Sequence, residues 1–348
     1  MDFLDPRVAQ LAPYVPGEQP KTKDFIKLNT NESAYPPAPG VAQAVTQAAA
    51  NLQLYADPTC QNLRQALGDY LQVPTEQVFV GNGSDEVLAF CFQGLMGQGV
   101  AFPDITYGFY SVFAQLYGLK AQVMPLREDL TIDLADYQDC EGTIIFANPN
   151  APTSLGLPAE AILQLVAANP KRLVIVDEAY VAFGGQSMVP YVKDHANLLV
   201  VGTFSKSWQL AGARLGYAVA QPALIAELNR VKFSFNPYSV NGMTMAAGQA
   251  ALADIDYHQA CLEKTLASRK WTAQALADLG FDVLPSATNF LFVKHPEISG
   301  AQLYPALKAR KILVRWFDKA RIKDYLRITI GTQAEMAQLL AALRELVD

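Results

Sequence analysis

A lysine and an arginine eight residues apart, each set among hydroxyls or glycines, are the most chemically pointed feature of this 348-residue chain. The run is Thr203-Phe204-Ser205-Lys206, followed by Ala211-Gly212-Ala213-Arg214-Leu215-Gly216. Hydroxyls and a guanidinium together suit the charge of a phosphate group. A lysine that is partly desolvated, or near other positive charge, becomes a usable amine nucleophile, and with a carbonyl it forms a Schiff base. Alone, Lys206 reads as a solvated side chain after a strand. Its surroundings make the case.

Four more clusters lie at the ends of apolar runs. Val78-Phe79-Val80 leads into Gly81-Asn82-Gly83-Ser84-Asp85-Glu86, where glycines allow close backbone approach and the free N–H groups of a helix start attract an anion. It lacks the third glycine of the dinucleotide fingerprint, and a plain turn with an N-cap explains it equally well. Leu173-Val174-Ile175-Val176 ends in Asp177-Glu178-Ala179-Tyr180. A buried acid there calls for a cationic partner such as a pyridinium nitrogen, with Tyr180 in reach of a neighbouring ring oxygen. A cap for the next helix is the plainer use of Asp177. Asn148-Pro149-Asn150-Ala151-Pro152-Thr153-Ser154 makes a rigid turn. In Pro103-Asp104-Ile105-Thr106-Tyr107-Gly108 the tyrosine could stack on a flat ring or pack in the core.

The elements that carry these clusters follow from the apolar pattern. Continuous runs such as Thr143–Phe146, Leu173–Val176 and Leu198–Val201 are those of strands buried on both faces. Helical segments, Asp85–Leu95 and Ala159–Ala168 among them, alternate with the runs, so the fold class is α/β, with a mostly parallel sheet covered by helices. Ligands bind at the carboxyl ends of such strands, where the polar clusters fall. Residues 1–40, punctuated by prolines, predict an extended arm, with a large domain over 41–265. Residues 266–348 predict a smaller α+β domain that the arm joins, with strands at Asn289–Lys294 and Leu326–Ile330 and a last helix capped by Thr332 and Glu335.

Composition excludes several classes. The net charge of −6 is spread without a basic block, so nucleic acid and anionic membrane surfaces have no electrostatic support. No apolar stretch approaches the roughly 20 residues that span a bilayer. Met1–Arg7 carries acids where a signal peptide needs a basic region, so a cytoplasmic protein is expected. Cys60, Cys91, Cys140 and Cys261 are scattered and read as buried thiols of a reducing compartment. His195, His258 and His295 are far apart and read as surface residues, so no metal site or Ser-His-Asp triad is expected.

Taken together, these motifs resemble the fold-type I aminotransferases that use pyridoxal 5'-phosphate (PLP), and within them the histidinol-phosphate aminotransferase branch. The resemblance runs from Leu11-Ala12-Pro13-Tyr14 and Leu28-Asn29-Thr30-Asn31-Glu32 to Leu326-Arg327-Ile328-Thr329-Ile330-Gly331. It implies that Lys206 holds PLP as a Schiff base and then shuttles a proton, that Asp177 pairs with the ring nitrogen, and that Tyr180 bonds the ring's phenolic oxygen. It implies that Tyr107 stacks on the ring, and that Ser84, Asp85, Thr203, Ser205 and Arg214 hold the phosphate. Tyr55 matches a tyrosine given across a homodimer interface to the neighbouring subunit's phosphate. Arg327 matches the arginine that takes the amino donor's carboxylate, and Tyr14 and Arg315 match positions lining the substrate pocket. A site serving both a phosphate and a carboxylate needs such bidentate cations.

The chain departs from many relatives at the rigid turn. Ala151 stands where an asparagine touches the ring's phenolic oxygen, and Ser154 replaces the final glycine; Asn150 or Asn148 is left to take over. Rival readings are an aromatic or broad-specificity aminotransferase, a phosphothreonine decarboxylase, and a non-catalytic aminotransferase-like binding domain. The last would carry an added DNA-binding segment, which this chain is expected to lack, and the chain keeps the lysine.

Overall fold

The computed structural model describes Phe3, residues 6–22 and residues 24–347. Asp2 and Asp5, on which the reading of the N-terminus leans, lie outside the described residues. The chain begins α1 (Pro6–Ala9), β1 (Ile26–Lys27), α2 (Pro39–Ala49), α3 (Gln61–Leu71), β2 (Val78–Gly81), α4 (Gly83–Gly94), β3 (Val100–Pro103), α5 (Phe109–Leu116) and β4 (Ala121–Met124). It continues β5 (Thr143–Ala147), α6 (Ala159–Ala168), β6 (Val174–Asp177), β7 (Leu198–Thr203), β8 (Gly216–Ala220), α7 (Pro222–Phe235) and α8 (Gly242–Leu252). It ends α9 (Ile255–Asp278), β9 (Asp282–Val283), β10 (Phe290–Lys294), α10 (Gly300–Ala309), β11 (Ile312–Leu313), β12 (Arg315–Trp316), β13 (Tyr325–Thr329) and α11 (Gln333–Val347).

Seven strands form the central sheet in the order β2-β8-β7-β6-β5-β3-β4, with β8 antiparallel to both neighbours and every other pairing parallel. Alternation along each strand feeds two cores. Ile144, Phe146, Val174, Val176, Leu198 and Val200 pack into one, while Ile145, Ile175, Leu199 and Val201 pack into the other. Burying a side chain of this size stabilises by roughly 1.5–3 kcal/mol, so a two-faced apolar strand cannot be moved to an edge without large loss.

The register of β8 assembles part of the site. Gly216 pairs with Gly81 on one side and Thr203 on the other, so two loops far apart in sequence meet across one strand. A Cβ on Gly216 would collide with the backbone of Gly83 and Ser84, which is why glycine stands there.

A second sheet, in the order β12-β13-β10-β9, is antiparallel throughout and packs with α10 and α11 around a separate core that includes Leu28 of the arm. The strands expected at Asn289–Lys294 and Leu326–Ile330 are β10 and β13. β1 joins this unit, pairing in parallel with β11. The expected cap of α11 is present: Glu335 Oε2 accepts from the Thr332 N–H at 2.7 Å, and the Glu335 N–H donates to Thr332 Oγ1 at 3.3 Å.

Two expectations need correction. The arm is not wholly extended, because α1 puts one helical turn in it. His258 is not a surface residue: it is buried, and its ring stacks on Trp208 with centroids 3.8 Å apart. Burial pushes its imidazole down to about 4, so it is neutral near pH 7. The four cysteines are buried and free, as expected.

Candidate active site

Two adjoining cavities, of about 330 and 320 Å³, open at the carboxyl ends of the central strands. Thr30, Tyr107, Ala151, Tyr180 and Lys206 border both. The inner one is completed by Ser84, Asp85, Asp177, Thr203, Ser205 and Arg214, the outer one by Tyr14, Arg315 and Arg327. The structure thus brings together every residue expected to touch cofactor or substrate, except Asn150 and Tyr55.

Asp177 ends β6, and the two-residue period sends its carboxyl into the inner cavity while Glu178 turns away, caught by the Ser187 hydroxyl at 2.7 Å and the Met188 N–H. Burial pushes the Asp177 carboxyl up to about 6, against the pull of two donors, Tyr110 Oη at 2.9 Å and the Ala179 N–H at 3.1 Å. A buried acid so poised is strengthened by a cation brought into the cavity. Tyr110 is absent from the expected set; it lies in the first turn of α5, and its bond to Asp177 crosses from another element, which leaves no local signal.

Lys206 lies just past β7, and its Nζ donates to the Thr30 carbonyl at 3.3 Å. The same Nζ is 5.7 Å from the centre of the Tyr180 ring, so amine and phenol face a common space. Tyr107 Oη donates to Asp85 Oδ1 at 2.6 Å, and Asp85 Oδ2 pairs with Arg214 Nη2 at 3.0 Å. That chain ties Tyr107 to Arg214 through Asp85. Ser84 and Asp85 open α4, where free backbone N–H groups and the helix dipole attract a phosphate. Ser205 donates its N–H to Thr203 Oγ1 at 3.1 Å, which fixes the two hydroxyls side by side.

In the outer cavity Arg315 and Arg327 are cross-strand partners on β12 and β13. Arg315 reaches the carbonyls of Val15 and Pro16, at 3.1 and 3.3 Å, and Arg327 reaches that of Asn29 at 3.0 Å. No carboxylate among the described residues pairs with either, and the buried Arg327 Nε has no partner there. Phe317 lies 5.3 Å from the Arg315 guanidinium and 5.5 Å from that of Arg327. Tyr14 stacks on Phe109 at 4.4 Å and closes the far wall.

Neither asparagine of the rigid turn takes the place of Ala151. Asn150 is buried against Ile105 and Thr153, donating to the Ile105 carbonyl at 2.9 Å, and accepts from Thr106 Oγ1 at 2.9 Å. Asn148 Oδ1 accepts from the Leu157 N–H at 2.7 Å. Both hold loops, and the expected ring contact of Asn150 is withdrawn. Ser154 occupies a left-handed backbone position (φ 67°), held by its hydroxyl on the Pro285 carbonyl at 2.9 Å. Tyr55 lies outside both cavities, exposed and stacked on Tyr238 with centroids 4.6 Å apart.

The described geometry provides an amine, a buried acid and a cluster of hydroxyl, backbone and guanidinium donors at one point of an α/β fold. A family model for aminotransferase class I and II matches residues 23–343. The chain belongs to the class I and II aminotransferases. Among its relatives, histidinol-phosphate aminotransferase 1 of Bradyrhizobium diazoefficiens is 50% identical over 99% of each chain. The protein of the same name from Bordetella parapertussis is 50% identical over 99% of this chain and 98% of its own. The crystal structure of histidinol-phosphate aminotransferase from Sinorhizobium meliloti in complex with pyridoxal-5'-phosphate superposes with a TM-score of 0.89 at 28% identity, covering 100% of this chain and 98% of that one. L-threonine-O-3-phosphate decarboxylase of Porphyromonas gingivalis shares the fold, at 22% identity and a TM-score of 0.81. As in other aminotransferases, the substrates are small amino donors and oxo-acid acceptors. Among the described residues no helix is long and apolar enough to cross a membrane.

Proposed function

We propose that the chain is a PLP-dependent histidinol-phosphate aminotransferase, passing the amino group of histidinol phosphate to 2-oxoglutarate in histidine biosynthesis. The observation that carries this reading is the pair of arginines without acidic partners that faces Lys206 across the outer cavity. Bidentate cations placed so can hold the phosphate of one substrate and the carboxylate of the other.

The residues fit PLP on their own chemistry. Asp177 is a buried acid in want of a cation, and the ring nitrogen supplies one. Ser84, Asp85, Thr203, Ser205 and Arg214 supply hydroxyl, backbone and guanidinium donors for the phosphate. Bound there, the cofactor supplies an electron sink for charge that develops at the substrate's α-carbon. Asp177 would keep the ring nitrogen protonated, Tyr180 would offer its hydroxyl proton to the ring's phenolic oxygen, and Tyr107 would cover a ring face. Lys206 Nζ, which borders both cavities, would be the point of attachment for the cofactor and the base placed to move a proton at the substrate's α-carbon. Tyr14, Arg315 and Arg327 orient the substrate.

We further infer a cytoplasmic homodimer in which the exposed Tyr55 reaches the phosphate cradle of the neighbouring subunit. The inferred domains are a large one over 41–265 and a small one over 266–348 joined by the arm 1–40, with α9 crossing between them. Assaying the purified protein on histidinol phosphate with 2-oxoglutarate, beside phenylalanine and phosphothreonine, tests the substrate. Turnover fastest with histidinol phosphate is expected. Preference for phenylalanine would mean an aromatic aminotransferase, and release of carbon dioxide from phosphothreonine a decarboxylase. A protein that stays colourless with added PLP would refute the cofactor.

A further inference from the structure

Asn31 is nearly completely buried, at 1% exposure, in a left-handed backbone conformation (φ 54°). All four of its polar groups are used. Its backbone N–H donates to Thr329 Oγ1 at 3.0 Å, and its carbonyl accepts from Asn289 Nδ2 at 3.0 Å. Thr329 Oγ1 donates its one proton to Asn31 Oδ1 at 3.1 Å. That leaves Nδ2 against Tyr180 Oη at 2.9 Å.

We propose that Asn31 is a positioning residue that aims the proton of the Tyr180 hydroxyl at the cofactor's ring oxygen. This rests on the reading above that Tyr180 meets that oxygen. An amide nitrogen only donates, so Tyr180 Oη accepts from Asn31 and must send its own proton elsewhere. The open direction is the space that Tyr180 shares with Ala151 and Lys206. Accepting one hydrogen bond also makes the phenol a better donor of the next. The reverse amide orientation would strip the Thr329 hydroxyl proton of its acceptor and turn the Tyr180 proton toward Asn31. Ala151, which borders the same space, brings a methyl and no donor. In this chain the amide acts from one residue further out, through the phenol. Because Thr329 and Asn289 belong to or border the second sheet, the aim of that proton depends on the sheet's placement.

The test is a spectrophotometric pH titration of the visible band of the PLP-loaded enzyme. A donor on the ring oxygen favours its ionised form, so losing that donor raises the midpoint. Asn31→Asp keeps the shape and the left-handed preference but offers an acceptor, which draws the Tyr180 proton away; its midpoint is expected to rise by about one pH unit. Asn31→Gly keeps the backbone accessible and is expected to rise less. In a Tyr180→Phe background the Asn31 substitutions are expected to move the midpoint no further. An unmoved midpoint in Asn31→Asp, or an equal rise with and without Tyr180, overturns the proposal. Absence of any band in the wild-type protein overturns the cofactor reading instead, so the two failures are distinct.

Discussion

Arg315 and Arg327 stand directly opposite each other across the antiparallel pair β12 and β13, without an acidic partner among the described residues. Like charges at that spacing destabilise a sheet, and burial pulls the Arg327 guanidinium below its usual range. A fold keeps such a pair where an anion is expected to sit between them. Arg327→Gln is therefore expected to lower kcat/KM for glutamate by roughly 30- to 1000-fold, from about 2–4 kcal/mol of lost charge-assisted bonding. Arg327→Lys should not rescue it, because an ammonium cannot reproduce the guanidinium fork. Stopped-flow measurement of the glutamate half-reaction checks this, and an unchanged rate in Arg327→Gln would remove the arginine from the site.

Asp177 gives the protein without cofactor a defined pH dependence. Its proton is held more tightly in the folded state (up to about 6) than in the unfolded chain (3.8). Folding is then favoured by this group at low pH, and the advantage is lost as pH rises from about 4 to 6, on the order of 3 kcal/mol. Glu178, pushed up to about 8 by burial, extends the decline in the same direction. Urea unfolding of the apoprotein across pH 4–8 should show the fall, and Asp177→Asn should flatten its acid part. Added PLP should restore more stability at pH 7 than at pH 5, since a cationic ring nitrogen favours the charged acid. Parallel profiles for wild type and Asp177→Asn would refute this assignment.

Gly83, like Gly216, is a place where the proposed phosphate cradle is sensitive to a single methyl. Its φ of +79° is costly for other residues, and an added Cβ would lie 2.5 Å from Arg214 Nη2. Gly83→Ala is expected to cost about 1–2 kcal/mol in strain and to displace the arginine. PLP retention should weaken about tenfold or more, read by absorbance titration. Arg214→Gln should weaken retention similarly without the stability loss; a stable Gly83→Ala variant that binds PLP normally would argue against the cradle.

Ser154 permits a sharper stability comparison. Its left-handed backbone asks for glycine, while its hydroxyl holds the Pro285 carbonyl. Ser154→Ala loses the bond and keeps the strain, at an expected cost of about 1 kcal/mol. Ser154→Gly loses the bond but relieves the strain, and should fall within about 0.5 kcal/mol of wild type. Chemical denaturation separates the two, and equal losses would show that the backbone conformation is unstrained.

Tyr55 is tested by mixing subunits. If it serves the neighbouring cradle, Tyr55→Ala and Lys206→Ala chains refolded together should form hybrids with one complete site. Activity above the mean of the two parents is the expected result, and its absence would assign Tyr55 to its own subunit or to none.

Much of this arrangement is legible in the sequence, for physical reasons that also mark where reading stops. Runs such as Ile144–Phe146 and Val174–Val176 announce two-faced strands because both sides must be apolar, and their polar ends locate the site. The cap at Thr332 and Glu335 is local and reads directly. The short β3, β4 and β8 carry weaker patterns, and nothing local marks β8 as the antiparallel strand that brings Gly81 and Thr203 together. Asn150 misleads because its partners Ile105 and Thr106 come from another loop. His258 hides its burial because Trp208, its stacking partner, arrives from the loop after Lys206. Tyr110 and Asn31 act through single long-range hydrogen bonds, which leave no periodic trace.

Leu28, Asn29, Thr30 and Asn31 serve four different clients in succession. Leu28 bridges β11 and β13, and the Asn29 carbonyl accepts from Arg327. The Thr30 carbonyl accepts from Lys206, and the Asn31 amide meets Tyr180. For anyone building chimaeras from relatives this sets a rule of inheritance. A graft of the second sheet that leaves these four residues behind would join one parent's Arg315 and Arg327 to another parent's Lys206 through a splint shaped only for the lysine. The natural unit of exchange is therefore discontinuous, with residues 28–31 travelling together with β10 through β13.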